Sequence, residues 1–147
     1  MRGNSRVSSQ AVAADVRIAL GPVLELRGEI YDGQLLRGLG GGGIGQNFGI
    51  VPQGPNPVPA IVEDRGGWAQ LNARLRGGHL LGGGCGVDDP SQDAVLTRRK
   101  NTVCEGHAIV RPAGPIVLGL EFRRLATLYA AGERRNSHVN VALGFEF

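Results

Sequence analysis

The strongest regularity in this chain is an alternation of period two. Near its end, Val139, Val141, Leu143, Phe145 and Phe147 alternate with His138, Asn140, Ala142, Gly144 and Glu146. Successive side chains of a strand point to opposite faces, so this stretch predicts a strand with one apolar face and one polar or small face. The pattern recurs. Over Ala11–Leu20, the positions Val12, Ala14, Val16, Ile18 and Leu20 oppose Asp15 and Arg17. Over residues 23–31, Leu24, Leu26 and Ile30 oppose Glu25, Arg27, Glu29 and Tyr31. Over residues 68–75, Ala69, Leu71, Ala73 and Leu75 oppose Gln70, Asn72 and Arg74. Over residues 116–123, Ile116, Leu118, Leu120 and Phe122 oppose Glu121 and Arg123, and Arg123-Arg124 then breaks the alternation, which predicts a bulge. Residues 102–110 repeat it more weakly, with Cys104, Ala108 and Val110 opposing Glu105 and His107. With the glycine-rich stretch 80–87, the chain predicts about seven strands and no amphipathic helix.

The connections add an asymmetry. Gly21-Pro22, Arg76-Gly77-Gly78 and Pro112-Ala113-Gly114-Pro115 are short, whereas residues 32–66, 88–100 and 130–137 read as long loops. Short and long alternate along the chain. In an antiparallel meander, alternate connections lie at the same end, so one end carries tight turns and the other long loops. Outer-membrane barrels have this arrangement. The apolar faces are also thin, with many Ala, Val and Gly, which suits lipid contact better than a densely packed core. A soluble β-sandwich or lipocalin-like module would alternate in the same way, with the apolar face inward.

Composition narrows the classes further. The chain has 147 residues, with 25 Gly, 8 Pro and 5% aromatics, a poor recipe for a helical bundle. Its longest apolar stretches fall far short of the roughly 20 residues of a spanning helix, but a barrel strand needs only about 9–11. Residues 1–10 are polar and lack the apolar core of a secretory signal. The net charge of +3 comes from scattered residues with no basic stripe, so no nucleic-acid partner is expected.

The ending 138–147 looks like the C-terminal strand signal of bacterial outer-membrane β-barrels. The stretches "LELRGEIYDGQLLRGLGGGGIGQ", "RGGWAQLNARL", "GVDDP" and "LGLEFRRLATLY" resemble the C-terminal half of a family of bacterial outer-membrane porin-like proteins. The resemblance covers most of residues 16–147. It implies an antiparallel, up-and-down transmembrane β-barrel in the bacterial outer membrane, without enzymatic chemistry or a cofactor. It also implies that the barrel assembly machinery would recognise the last strand through Leu143, Phe145 and Phe147. The family's N-terminal half and signal peptide are missing here, and Cys85 stands where an aromatic is expected. Seven strands do not make an even-numbered barrel, so the expectation is the C-terminal part of a larger one, or closure with other chains as a homo-oligomer, with a standalone eight-stranded barrel as the alternative if residues 1–10 or part of 32–66 supply a strand. Residues 1–10 would then be a loop remnant and 11–147 the barrel strands.

On this reading the polar face lines an aqueous lumen. The candidates are Asp15, Arg17, Glu25, Arg27, Glu29, Gln70, Asn72, Arg74, Glu105, His107, Glu121, Arg123 and Asn140, with Tyr31 and His138 beside them. Charges of both signs on such a wall set ion preference. The expected function is passive diffusion of small polar or ionic solutes. The alternatives are a structural or adhesive barrel with a plugged lumen and the soluble module. Cys85 and Cys104 fall on the apolar parity of neighbouring predicted strands and are a candidate disulfide. A zinc site with His79 and His107 fits no standard spacing. Gly38, Gly40 and Gly43 fit G-x-G-x-x-G, but no Lys-Ser/Thr follows and no βαβ unit surrounds them. The long loop around them, with Pro52, Pro55, Pro57 and Pro59, either folds inward to narrow a pore or lies on the surface. Asp88, Asp89 and Asp93 lack the spacing of a calcium loop. Tyr31, Trp68 and Tyr129 sit near predicted strand ends, where either an interfacial aromatic belt or ordinary strand-end packing would put them.

Overall fold

The structure, a computed structural model, describes residues 7–39, 45–52, 55–91, 94 and 96–147. The strands among them are β1 Ala11–Leu20, β2 Leu24–Gln34, β3 Phe48–Val51, β4 Val58–Ile61, β5 Glu63–Arg74, β6 Leu80–Pro90, β7 Arg98–Val110, β8 Ile116–Tyr129 and β9 Gly132–Phe145. Seven of them make one antiparallel sheet in the order β1-β2-β5-β6-β7-β8-β9. β3 and β4 pair separately as a hairpin inserted between β2 and β5. The chain is thus all-β and winds up and down. The sheet is open: among the described residues, no strand pairs with the outer edge of β1 or β9.

Register determines which side chains share a face, because a slip of one residue reverses them. Across the sheet, Ile18 aligns with Leu26, Leu71, Gly83, Gly106, Phe122 and Val139. One row nearer the tight turns, Leu20 aligns with Leu24, Ala73, Leu81, Ala108, Leu120 and Val141. The apolar positions of all seven strands therefore merge into one unbroken band. At the loop end the band stops at Asp32, Arg65, Asp89 and Lys100, with Lys100 Nζ 3.0 Å from Asp89 Oδ2.

This band crosses the sheet obliquely. On β1 it begins at Val12, but on β9 it begins at Val139, in the row of Ile18. That drop of about 20 Å along the strands takes place over about 29 Å of sheet width, given about 3.3 Å per residue and 4.8 Å per strand. At the other border the band drops by about 13 Å, from the row of Leu20 and Val141 to Phe145. The strands thus lean about 25–35° from the normal to the band, close to the roughly 35–45° tilt of barrel strands.

On the inner strands β2, β5 and β8 the burial pattern is the reverse of a water-soluble sheet, whereas the outer strands β1 and β9 are exposed on both faces. On β8, Leu118, Leu120 and Phe122 are exposed while Glu121 and Arg123 between them are partly sheltered. Val141 is 76% exposed and Leu120 53%, against 7% for Glu25 and 3% for Asn72. Leu24, Leu71, Leu118 and Val141 are all exposed, with no second layer over them among the described residues. Among the described residues the buried large apolar side chains are Leu36, Val62 and Leu96, in the connections at the loop end, and Pro90 at the end of β6.

Some expectations shift. Residues 130–137 are not a long loop. β8 and β9 extend to a tight turn at Ala130-Ala131, closed by Gly132 at φ 121°, where an L side chain would be strained. The loop 32–66 contracts to 35–62 and contains the hairpin, and the loop 88–100 contracts to 91–97. The tight turns at the other end hold. No bulge occurs at Arg123-Arg124, which pair regularly with Glu105 and Cys104; the register shift lies between Arg98 and Lys100. Arg124 simply marks the upper border of the band on β8. Residues 7–10 are exposed and irregular.

Cys85 and Cys104 are directly opposed across β6 and β7, 4.1 Å apart at Cα, and form a disulfide. It closes a loop of 19 residues in sequence separation, which a chain-entropy argument values at about 3 kcal/mol. Reduction, or replacement of both cysteines by serine, should lower the stability of the protein by about that amount, measured by urea unfolding with and without reductant.

Candidate functional site

The polar face is built in rows, as the apolar one is. Arg17, Arg27, Gln70, Gly84, Glu105, Arg123 and His138 form one row across all seven strands. Ala19, Glu25, Asn72, Gly82, His107, Glu121 and Asn140 form the next. Register and strand alternation thus put all thirteen candidate residues on this face. Ten of them fall in these two adjacent rows, a polar girdle at mid-sheet. Asp15 and Glu29 lie one row towards the loops, and Arg74 one row towards the turns.

Glycine makes the girdle possible. β6 presents Gly82, Gly84 and Gly86 to the polar side, and longer neighbours lean over them. A side chain at Gly82 would collide with Asn72 Oδ1 and the His107 ring. One at Gly84 would meet the Ala69 carbonyl and Gln70. One row higher, Tyr31 reaches across Gly66 and donates a hydrogen bond from its hydroxyl to Asp88 Oδ1 at 2.8 Å. This spans three strands, which only a missing Cβ on the middle one allows.

Charge is distributed unevenly. On β1, β2 and β5 a single carboxylate, Glu25, takes Arg17 at 2.7 Å, Arg27, and Arg74 at 3.2 Å. On β7 and β8 the carboxylates dominate. Glu105 Oε2 sits 2.9 Å from His107 Nδ1, and Glu121 pairs with Arg123 at 2.8 Å. Asn140 Nδ2 donates to Glu121 at 3.1 Å, and Gln70 Nε2 donates to Asn72 Oδ1 at 2.8 Å. The girdle therefore has a basic flank and an acidic flank, joined by amides and glycines.

The inserted connection covers the loop end of this face. Asp64 and Pro90, on the polar parity of β5 and β6, are buried, whereas Arg65 on the opposite parity is exposed. Val62 donates from its backbone N–H to the Asn47 carbonyl at 3.0 Å. The Arg98 N–H donates to Gln46 Oε1 at 3.2 Å, which carries the connection from β2–β5 over to the start of β7.

At the opposite end the tight turns are clasped together. Arg111, just after β7, donates to both carboxylate oxygens of Glu146, at 3.1 and 2.8 Å, and to the Gly78 carbonyl in the β5–β6 turn. Its backbone N–H donates to His79 Nδ1 at 3.0 Å. The paired guanidinium holds the Glu146 carboxyl below the ordinary carboxylate range, and Glu146 in turn raises Arg111.

Other expectations separate. Asp88 and Asp89 lie on opposite faces, one bonded to Tyr31 and the other to Lys100, and so do not converge. Asp93 and Gly40–Gly43 lie outside the described residues. Trp68 and Tyr31 point to the polar side, not outward as belt residues would, because they share parity with Gln70 and Glu29. The cysteines are consumed by their disulfide, and no group of three or more metal-ligating side chains forms among the described residues. Sequence reasoning missed the Tyr31–Asp88 bridge and the Arg111–Glu146 clasp. Both depend on register between strands that no local pattern reveals. Comparison with known protein families, curated proteins and solved structures finds no match to this chain.

Gly82→Val should cost about 1–3 kcal/mol, through the clash with Asn72 and His107. Gly106→Val, where a Cβ meets nothing nearer than 3.9 Å, should be tolerated; urea midpoints of the two variants check this. The clasp gives a pH signature. A carboxyl depressed by folding lends stability above its ordinary value, about 4.3 for Glu, and loses it as pH falls through the depressed value. Glu146→Gln should therefore lower the thermal midpoint at neutral pH, and the gap to wild type should close on acidification.

Proposed function

We propose that this chain is a wall segment of a porin-like β-barrel of the bacterial outer membrane, which lets small polar or ionic solutes diffuse passively through a charged lumen. The observation that carries this reading is the inverted exposure of the sheet. An oblique band of Val, Leu, Ile and Phe is bare, while on the other face Glu25 and Asn72 are buried and Gln70, Glu105, His107, Glu121 and Arg123 are partly sheltered. Acyl chains satisfy the first face and water the second. The sheet strands, 10 to 14 residues long, are sufficient to cross a bilayer at the observed lean. Strands that would close the barrel against β1 and β9 come from outside the described residues, since an open edge in lipid leaves backbone groups unpaired.

In such a lumen the basic and acidic flanks produce a field across the path of the solute. The connection 35–62 narrows the loop end. Leu143, Phe145 and Phe147 serve as the assembly signal at the end of the last strand. The cover over the polar face also favours a second reading, a barrel whose lumen is plugged and whose loops bind outside the cell.

Reconstitution separates these. The protein should require detergent for solubility, shift in gel mobility on heating, and give discrete conductance steps in planar bilayers. Membrane insertion without conductance selects the plugged barrel. A monodisperse protein in detergent-free buffer removes the membrane reading altogether.

A further inference from the structure

Three guanidiniums share one carboxylate at the turn end of the polar face. Arg17 donates through Nε to Glu25 Oε2 at 2.7 Å, and its Nη2 lies 2.7 Å from the same oxygen as an ion pair. Arg27 donates through Nε to Oε1, and Arg74 through Nη2 to Oε2 at 3.2 Å. Three positive charges meet one negative charge, so the cluster holds an excess of two. Glu25 is almost fully enclosed, with its side chain 10% exposed, whereas the three arginine side chains are 62%, 43% and 56% exposed. The carboxylate acts as an anchor that points three forks outward from one spot. Guanidinium edges turned away from it have no other side-chain acceptor among the described residues. Beneath the β1–β2 turn, Arg17, Glu25 and Arg74 border a cavity of about 340 Å³. A water occupies about 30 Å³ of liquid, so a small anion fits there with part of its hydration shell.

We propose that this arginine cluster is a binding site for a small oxyanion, of the phosphate or sulfate class. This inference rests on the polar face being wetted, and it names a solute class for that face. Geometry favours an oxyanion over a halide. Arginine forks match the paired oxygens of phosphate, sulfate and carboxylate, with two parallel N–H···O bonds per fork, whereas a monatomic ion gains only point-charge attraction. Pre-anchoring by Glu25 removes much of the rotamer entropy that three free arginines would lose on binding. The nearest further carboxylates, Asp15 and Glu29, sit one row towards the loops, beyond the Arg17–Arg27 row. They repel an anion from that side and direct it to the turn-end cavity.

The test is calorimetric titration of inorganic phosphate into the full chain, refolded in a phosphate-free maltoside detergent at low salt. Wild type should bind saturably. Sulfate should displace the phosphate, and chloride at equal ionic strength should not. Arg17→Gln with Arg74→Gln should weaken binding by about tenfold or more. Arg123→Gln, elsewhere on the same face, should leave it unchanged. Should the glutamine pair fail to refold, Arg17→Lys with Arg74→Lys keeps the charge, removes the forks, and should still weaken binding. Adding phosphatidylglycerol to the micelles should not compete, because the cluster lies on the face away from the band. Absence of saturable binding, equal displacement by chloride, equal loss in Arg123→Gln, unchanged affinity in the lysine pair, or competition by the lipid overturns the site. Binding in micelles is read without conductance, so a protein that binds phosphate but passes no current removes the pore and keeps the site.

Discussion

An antiparallel ladder has a side-chain period of two, and the fold rests on keeping that period in phase across seven strands. A one-residue slip on any strand would carry its apolar residues into the girdle and its charges into the band. The phase is held by tight turns at one end, by the Cys85–Cys104 bridge near the middle, and by the Arg111–Glu146 clasp beside the turns. None of these is a hydrophobic core. Leu36, Val62 and Leu96 are buried in the long connections, and among the described residues the apolar face of the sheet itself has no buried Leu, Ile, Val or Phe.

That absence has an energetic meaning. Each fully burying Val, Leu, Ile or Phe is worth about 1.5–3 kcal/mol relative to water. A bare band across seven strands would therefore forgo on the order of tens of kcal/mol in aqueous solution, more than the roughly 5–15 kcal/mol by which domains are stable. The opposite face pairs part of its polar groups through ion pairs, amide bridges and the glycines that give them room, and leaves the outer edges of Arg17, Arg27 and Arg74 exposed. The two faces ask for two different solvents, and the oblique course of the band gives the direction along which those solvents would be layered.

Much of this was legible in the alternation. Strands with one clean apolar row, such as Ala11–Leu20 and residues 116–123, can be read directly, and so can the shared side of the candidate polar residues. Residues 130–137 were not legible, because there the strand is polar on both faces. Glu133 and Arg135 lie on one side and Arg134 and Asn136 on the other, so no period shows, and pairing with β8 alone makes it a strand. Arg124 looked like a bulge because its row had reached the border of the band, a height that depends on tilt and not on neighbours in sequence. The belt reading of Trp68 and Tyr31 rested on their nearness to strand ends, although Tyr31 already fell on the polar parity of residues 23–31. Here each leans over a glycine of the adjacent strand, a vacancy invisible without the register.

Seven is an odd number. In a meander, each strand reverses its predecessor, so β1 and β9 point the same way. If two such sheets were placed side by side in the same orientation, β9 of one would meet β1 of the other as parallel neighbours, with slanted and slightly weaker ladders. A ring that keeps every junction antiparallel must instead be completed by an odd complement of strands, running out of phase with these two rims.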